Sequence, residues 1–296
     1  VHLHFDVRGD LLESARQCEE DVFLQAFGNT RSQLEDEYGP YNDQSLFMAV
    51  ATDDGHVVGS CRILRNGPAG LKTLNDIQHE PWRVDGMRSA GLADIDPELT
   101  WDIATLGVRR DFRGPKFMVG LSMYHGLLKA GRVNEMRTGI AILDVRAYEA
   151  ILGAGLTFAA LPGTRPASYL GSEASVPMYG HFSDVADAQR RTQPDLYRLV
   201  TLGIGIDGVA VPDDPATLSK PDRKVVSELL RDGGKSWPQE LLDPYRELCA
   251  AVSVRSALAW QESISTAPSG AAEAMLWRLL RIGSAPYFVL GVGGAA

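Results

Sequence analysis

Apolar positions recur along this chain at two spacings, one near four residues and one of two, and the switches between them mark its elements. Leu11, Leu12, Ala15, Cys18, Val22, Phe23 and Ala26 stand three and four residues apart, which predicts an amphipathic helix over 11–27. An acidic stretch from Glu35 to Tyr41 then reads as a loop. Two apolar runs, 46–51 and 57–64, flank Asp53-Asp54-Gly55, and an Asp-Gly step between such runs predicts a hairpin. After a turn at 67–70, a third strand is expected over 71–77. Residues 78–100 are polar and irregular, and Trp82 with several charges there predicts a substrate-side loop or an exposed connection.

The next stretch holds the densest pattern. Residues 103–108 read as a buried strand, Arg109, Arg110, Arg113, Gly114 and Lys116 as a basic turn, and Met118, Leu121, Tyr124 and Leu128 as the apolar face of a helix. The first amides of a helix have no partner inside it, so a cationic turn at a helix start is a way to hold an anion. An ordinary solvated loop between core elements is the competing reading. Further on, 136–143 reads as a strand, 145–152 as a helix stopped near Gly153 and Gly155, and 156–161 and 175–182 as two more strands.

Composition narrows the function. With 296 residues, 45% hydrophobic and 23% charged, the chain has the make-up of a soluble globular protein. A net charge of -9 argues against nucleic acid as a partner, although it allows a local cationic pocket. No apolar run approaches the roughly 18 residues that span a bilayer, and no signal segment is expected at the start. The chain opens at Val1 rather than Met, so preceding residues are allowed for. Cys18, Cys61 and Cys249 are far apart and odd in number, which fits reduced thiols and a cytoplasmic setting. His2, His4, His56, His79, His125 and His181 show no metal-ligand spacing, and no G-x-S-x-G elbow is present. Gly203-Ile204-Gly205-Ile206-Asp207-Gly208 fits a dinucleotide fingerprint but runs into Pro212 and Pro215 without a helix, so no such site is expected.

Leu106-Gly107-Val108 followed by Arg113-Gly114 resembles the GNAT superfamily of acyl-CoA-dependent N-acyltransferases. There a strand end precedes an Arg/Gln-x-x-Gly-x-Gly/Ala loop that cradles the cofactor pyrophosphate. The departure is that the two small positions hold Lys116 and Met118. The element order over 10–182 is similar to the same fold. Glu37-Tyr38-Gly39-Pro40-Tyr41, Phe47-Met48-Ala49-Val50, Asp54 to Gly59 and Arg62-Ile63-Leu64 look like the branch that includes acyl-homoserine lactone synthases and long-chain N-acyl amino acid synthases. Lactone synthases carry Glu-x-Ser-Arg on the central strand, and the matching Asp102-Ile103-Ala104-Thr105 lacks the arginine.

The resemblance implies an α/β (α+β) GNAT fold, a mixed and mostly antiparallel sheet flanked by helices. It implies acyl-CoA or acetyl-CoA as co-substrate, or acyl carrier protein as donor and partner, and a small-molecule amine or amino acid as acceptor, with no metal. Leu106, Gly107, Val108, Arg113, Gly114, Lys116, Phe117, Met118 and Val119 are the cofactor-binding candidates it assigns, with Arg109 and Arg110 adding charge for pyrophosphate or a carrier protein. Asp102, six residues before Val108, is the candidate base. Strict alternation would put it on one face with Ala104, Leu106 and Val108, and burial beside Trp101 and Ile103 would raise its pKa; a strand-start aspartate facing solvent is the alternative. Thr105 is expected on the other face as a packing or hydrogen-bonding residue. The family's acid tyrosine lies in Asn-x-x-Ala-x-x-x-Tyr, which here ends at Ile151. Tyr148, one turn nearer the strand, is the substitute candidate, with a core tyrosine as its plainer reading. His125 and Cys61 are expected as packing residues.

Two units follow: an acyltransferase domain over 1–185 and a mostly helical extension over 186–296. Capping patterns at Ser219-Lys220-Pro221-Asp222 and Ser236-Trp237-Pro238-Gln239, and Ser269, mark its helix starts. The competing function is a non-catalytic acyl-CoA-binding module with a regulatory or scaffolding role.

Overall fold

The computed structural model describes residues 1–212. A first strand, β1 (His2–Phe5), leads into α1 (Gly9–Phe27), which stops at Gly28 in the left-handed region, φ 73°. The hairpin forms as expected from β2 (Ser45–Ala51) and β3 (Val57–Arg65), with Gly55 at φ 86° in its turn. Both strands are buried almost throughout because helices cover both sheet faces.

The central strand β4 (Thr100–Val108) leads through the basic turn to α5 (Lys116–Val133), and then come β5 (Thr138–Asp144) and α6 (Val145–Gly153). Short strands β6 (Ala159–Ala160) and β7 (Ala167–Tyr169) precede β8 (Ser172–His181) and α7 (Phe182–Thr192). The eight-stranded sheet runs β1-β2-β3-β4-β5-β8-β6, with β7 also on β8. Every pairing is antiparallel except that of β4 with β5. This is the expected class, a mixed and mostly antiparallel sheet flanked by helices.

Several expected elements are corrected. Residues Glu35 to Tyr41 are not a loop: α2 (Arg31–Tyr38) forms because Thr30 and Gln33 make a reciprocal capping box, and it buries Leu34 and Tyr38, one turn apart. A 3-10 turn, Gly39–Gln44, follows. The strand expected over 71–77 is a helix, α3 (Lys72–Asp76), whose flanking Leu71 and Ile77 and own Leu74 pack in one buried cluster. The stretch 78–100 is not an exposed connection. Trp82, Ala90, Ala93 and Ile95 join that cluster, and α4 (Gly86–Leu92) starts on an Asp85 cap. The strand expected over 156–161 shrinks to β6, and β1 and β7 appear where none was expected.

The division drawn at 185 falls inside α7. Beyond it the chain packs back on the same body: the buried His125 ring on α5 bonds the Val200 carbonyl (2.9 Å), and Ala210 bridges to β1 at His2. Glycines 203, 205 and 208 all take positive φ in turns, with no helix behind them among the described residues. The capping patterns at 219–222, 236–239 and 269, Cys249 and the rest of the expected extension lie outside the described residues.

Candidate active site

Two neighbouring strands that part from one another create the site. β4 and β5 pair at Thr100 with Thr138, Trp101 with Gly139 and Asp102 with Ile140, and no further, although both strands continue. A wedge opens between them from Ile103 and Ala141 onward. The Arg109 N–H donates to the Val58 carbonyl on the β3 side at 2.8 Å. Backbone groups alternate in direction along a strand, so the N–H groups of Val108 and Leu106 are aimed the other way, into the wedge.

A cavity of about 470 Å³ fills the wedge and continues on both sides of the sheet. Toward α5, α6 and α7 it is apolar, lined by Leu127, Leu128, Ile151, Leu156, Phe158 and Phe182. Toward α1 and α3 it has an apolar part at Val22, Phe23 and Phe27 and a polar wall of Lys72, Thr73, Asp76, Asp102 and Tyr169.

Asp102 is buried, and its two oxygens accept from Thr73, 2.6 Å from the N–H and 2.8 Å from the hydroxyl. It thereby caps α3, which has no side-chain cap of its own. Burial pushes its carboxyl up to about 7, against the opposing pull of the two Thr73 bonds and the Lys72 charge. The solvent-facing alternative for Asp102 is thus excluded.

The expected face-sharing is corrected. Arg62 pairs with Thr105 while Ile63 pairs with Ile103, so Ala104 is an extra residue that bulges β4 and flips the alternation beyond it. Trp101 and Ile103 pack toward α5, and so do Leu106 and Val108. Asp102 shares its face instead with Thr105 and Gly107, which meet Glu19 and Val22 of α1. The bulge therefore brings a carboxylate on one face and N–H groups at the sheet's opened edge to a single cavity.

Leu106, Gly107 and Val108 line the cavity, as does Arg110. Arg109 does not join the cationic group: its Nε donates to the Val57 carbonyl at 2.9 Å and its head is ion-paired with Asp21 of α1. Arg113 and Lys116 are exposed outside the cavity, and the Lys116 ammonium reaches the Arg110 carbonyl. Phe117 is 68% exposed, Met118 is half-buried against the α6–α7 cluster, and Val119 is fully buried against Gly59. A Cβ on Gly114 would lie 2.3 Å from the Phe112 ring as it stands, so a larger residue there needs that ring to move. Tyr148 lies outside the cavity. Its lining tyrosine on this side is Tyr124 of α5, whose hydroxyl burial pushes up to about 12.

Sequence reasoning missed the polar groups that brace this wall. Glu19 and Arg62 form a buried bidentate ion pair, with N–O distances of 2.6 and 3.0 Å, and Thr105 bonds the same carboxylate. The guanidinium lies between the Tyr38 and Phe47 rings, 4.7 and 4.8 Å from their centroids. Beside it, buried Lys72 pairs with Glu37 and with Asp76 at 2.5 Å, and donates to the Tyr169 hydroxyl at 2.8 Å. One signal was in the sequence: Arg62 stands inside an otherwise apolar strand, where a charge needs a partner. No cluster of metal-binding side chains occurs among the described residues, and none of their helices is long and apolar enough to cross a membrane.

No protein-family profile and no curated protein matches the sequence. Solved structures do match it in shape. A CoA-dependent acyl-homoserine lactone synthase, BjaI with SAM and isopentyl-CoA, is 18% identical over 73% of this chain and 94% of its own, with a TM-score of 0.47. The N-acyl amino acid synthase FeeM, from uncultured soil microbes, is 8% identical over 63% and 93%, with a TM-score of 0.48. The lactone synthase LasI is 16% identical over 63% and 91%, with a TM-score of 0.42.

Proposed function

We propose that this chain is an N-acyltransferase that moves an acyl group from acyl-CoA, or from acyl carrier protein, to the amine of a small molecule. The observation that carries the reading is the wedge between β4 and β5. It joins an apolar lobe, outward-turned backbone N–H groups and a buried carboxyl that changes protonation near neutrality.

In this reading the acyl chain lies in the lobe lined by α5, α6 and α7, which is larger than an acetyl group requires. The thioester oxygen faces the N–H groups of Val108 and Leu106, which stabilise the negative charge that develops as the amine attacks. Asp102, through waters held in the wedge, takes the proton the amine loses. When the C–S bond breaks, the leaving thiolate takes up a proton, and Tyr124, protonated at neutral pH, offers it a hydrogen bond. Arg110 at the cavity rim and Arg113 on the loop make no ion pair among the described residues, so both are available for pyrophosphate or for a carrier protein's acidic surface. The fit to a CoA pyrophosphate is partial, since the loop offers these side chains and not the glycine amides of the family pattern.

Melting temperature with CoA, acetyl-CoA and a long-chain acyl-CoA, followed by thiol release with an amine panel, tests the reading. A ligand that binds only the folded chain raises its melting temperature. A shift with the acyl-CoAs and release of thiol with an amine is expected. A shift without release from any amine identifies the non-catalytic module, and no shift and no release with CoA or carrier-protein donors ends the proposal.

A further inference from the structure

We infer that the acceptor is a cationic amine lacking a carboxylate, selected by the cavity wall that Lys72, Asp76 and Tyr169 build next to Asp102. This rests on the N-acyltransferase reading above and narrows its substrate class.

Charge and donor count both lead there. An ammonium has three donors, and those of Lys72 go to Glu37, Asp76 and the Tyr169 hydroxyl. None is left for a ligand's carboxylate. Tyr169 does not replace it: burial and its two acidic neighbours hold its hydroxyl neutral, and its one proton is donated to Asp76 at 2.6 Å. Lys72, Glu37 and Asp76 together carry a net charge of one negative, and an ionised Asp102 adds to it. Asp76 Oδ2 is engaged by Lys72 and by the Tyr169 hydroxyl at 2.6 Å, whereas its Oδ1 accepts no hydrogen bond among the described residues and remains free for an ammonium.

Among the described residues, no other cation reaches this wall. Arg62 spends its guanidinium on Glu19 and on Asn42 at 3.4 Å. Arg110 and Arg146 line the cavity only beyond the far ends of β4 and β5. Arg110 is eight positions from Asp102, about 25 Å along an extended strand. An amino acid docked with its amine at Asp102 would therefore set its carboxylate against Asp76 with no cation to answer it. The same amine without the carboxylate meets only attraction, and discrimination arises as much from that repulsion as from the favourable contact.

The test uses the full chain and two ligands, isoamylamine and leucine, which share a hydrocarbon group and an ammonium and differ by one carboxylate. Calorimetric binding without any donor reads recognition apart from chemistry. Isoamylamine should bind about tenfold tighter than leucine or more. Asp76→Asn, and separately Glu37→Gln, should bring the two affinities to within about threefold, since each frees a Lys72 donor and removes a negative charge. Damage to the fold would lower both affinities together and leave their ratio unchanged. Leucine bound as tightly as isoamylamine, no binding of either, or a ratio untouched by both substitutions would overturn the inference. Thiol release from acyl-CoA with the same pair separates it from the reading beneath. Preference for isoamylamine in binding with no thiol released removes the acyl transfer and keeps the cation site; release with leucine alone keeps the transfer and removes the cation rule.

Discussion

The Asp102 carboxylate closes on Thr73 through both of its oxygens, at 2.6 Å from the N–H and 2.8 Å from the hydroxyl, and ties the opened strand β4 to the start of α3. The carboxyl titrates near 7 when folded, whereas an unfolded aspartate titrates near 3.8. Between these values the folded chain holds a proton that the unfolded chain has lost. Stability therefore falls as pH rises through that window and levels off above 7. The shift corresponds to about 4 kcal/mol over the whole interval. Asp102→Asn cannot ionise and should lack this decline, so urea midpoints at pH 5 and pH 8 should show the natural chain losing stability relative to the variant. Parallel pH dependences in the two would show that the carboxyl does not titrate in this window.

The same carboxyl gives the proposed reaction a pH signature. Thiol release from acyl-CoA should rise with pH through about 7 as the Asp102 base forms. Asp102→Asn should lower kcat by about a hundredfold or more, the usual lower bound for the loss of a general base, and leave donor affinity unchanged. A natural rate in the variant at pH 7 removes Asp102 from the role.

Adjacent arginines should behave in opposite ways. Arg109 is held by Asp21 and the Val57 carbonyl, so Arg109→Ala should lower the denaturation midpoint and affect donor binding little once folded. Arg110→Ala and Arg113→Ala should leave the midpoint unchanged and weaken acyl-CoA binding, each by about 1.5–3 kcal/mol if a charged hydrogen bond is lost. Calorimetry on the three variants decides it, and unchanged affinity in both Arg110 and Arg113 variants would end the phosphate assignment.

The elements easiest to see in the sequence were those whose burial is one-sided or complete. Helix 11–27, the hairpin, the central strand and its following helix all showed their periods, and each is present. The failures share a physical cause. Leu71, Leu74 and Ile77 make too short a pattern to establish a helix by themselves, and the feature that decides it, the Asp102 carboxylate accepting from Thr73, comes from 29 positions away. Thr30 and Gln33 did carry a local signature for α2, overridden by the acidic composition that follows. That Asp102, Leu106, Gly107 and Val108 come together was legible, since all four line one cavity. Its arrangement was not, because one extra residue at Ala104 turns every later side chain of β4 to the opposite face, and alternation alone cannot announce a bulge. Nor did the sequence show that Arg109 is spent on Asp21, a partner set by how α1 lies across the sheet.

Gly107 tests how closely α1 lies there. A Cβ at this position would stand 2.4 Å from Val22 Cγ1, which no staggered contact tolerates, so Gly107→Ala should cost about 1–3 kcal/mol as the helix is pushed off β4. Val22→Ala removes the opposing methyls, and the double variant should recover part of the loss because the two sites share one contact. Urea denaturation of the four proteins measures the coupling. Strict additivity would mean that α1 and β4 do not touch at this point.

Chain-length selection should reside on α6. Ala147, Ala150 and Ile151 present one face of that helix to the apolar lobe, and Ala150 is exposed to solvent, so a larger side chain can be added there without overpacking the core. Ala150→Phe projects a ring into the lobe and leaves the wedge, the Val108 and Leu106 amides and Asp102 untouched. A short acyl group never reaches the ring, so acetyl-CoA affinity should not change. A long chain must give up the methylenes that the ring displaces, and at about 0.8 kcal/mol each, three of them cost about 2.4 kcal/mol, near sixtyfold in affinity. Competition binding of acetyl-CoA and dodecanoyl-CoA to the two proteins checks this. Equal loss for both donors would place the ring against the cofactor itself, and no loss for either would place the acyl chain on the α1 side of the sheet, against Val22, Phe23 and Phe27.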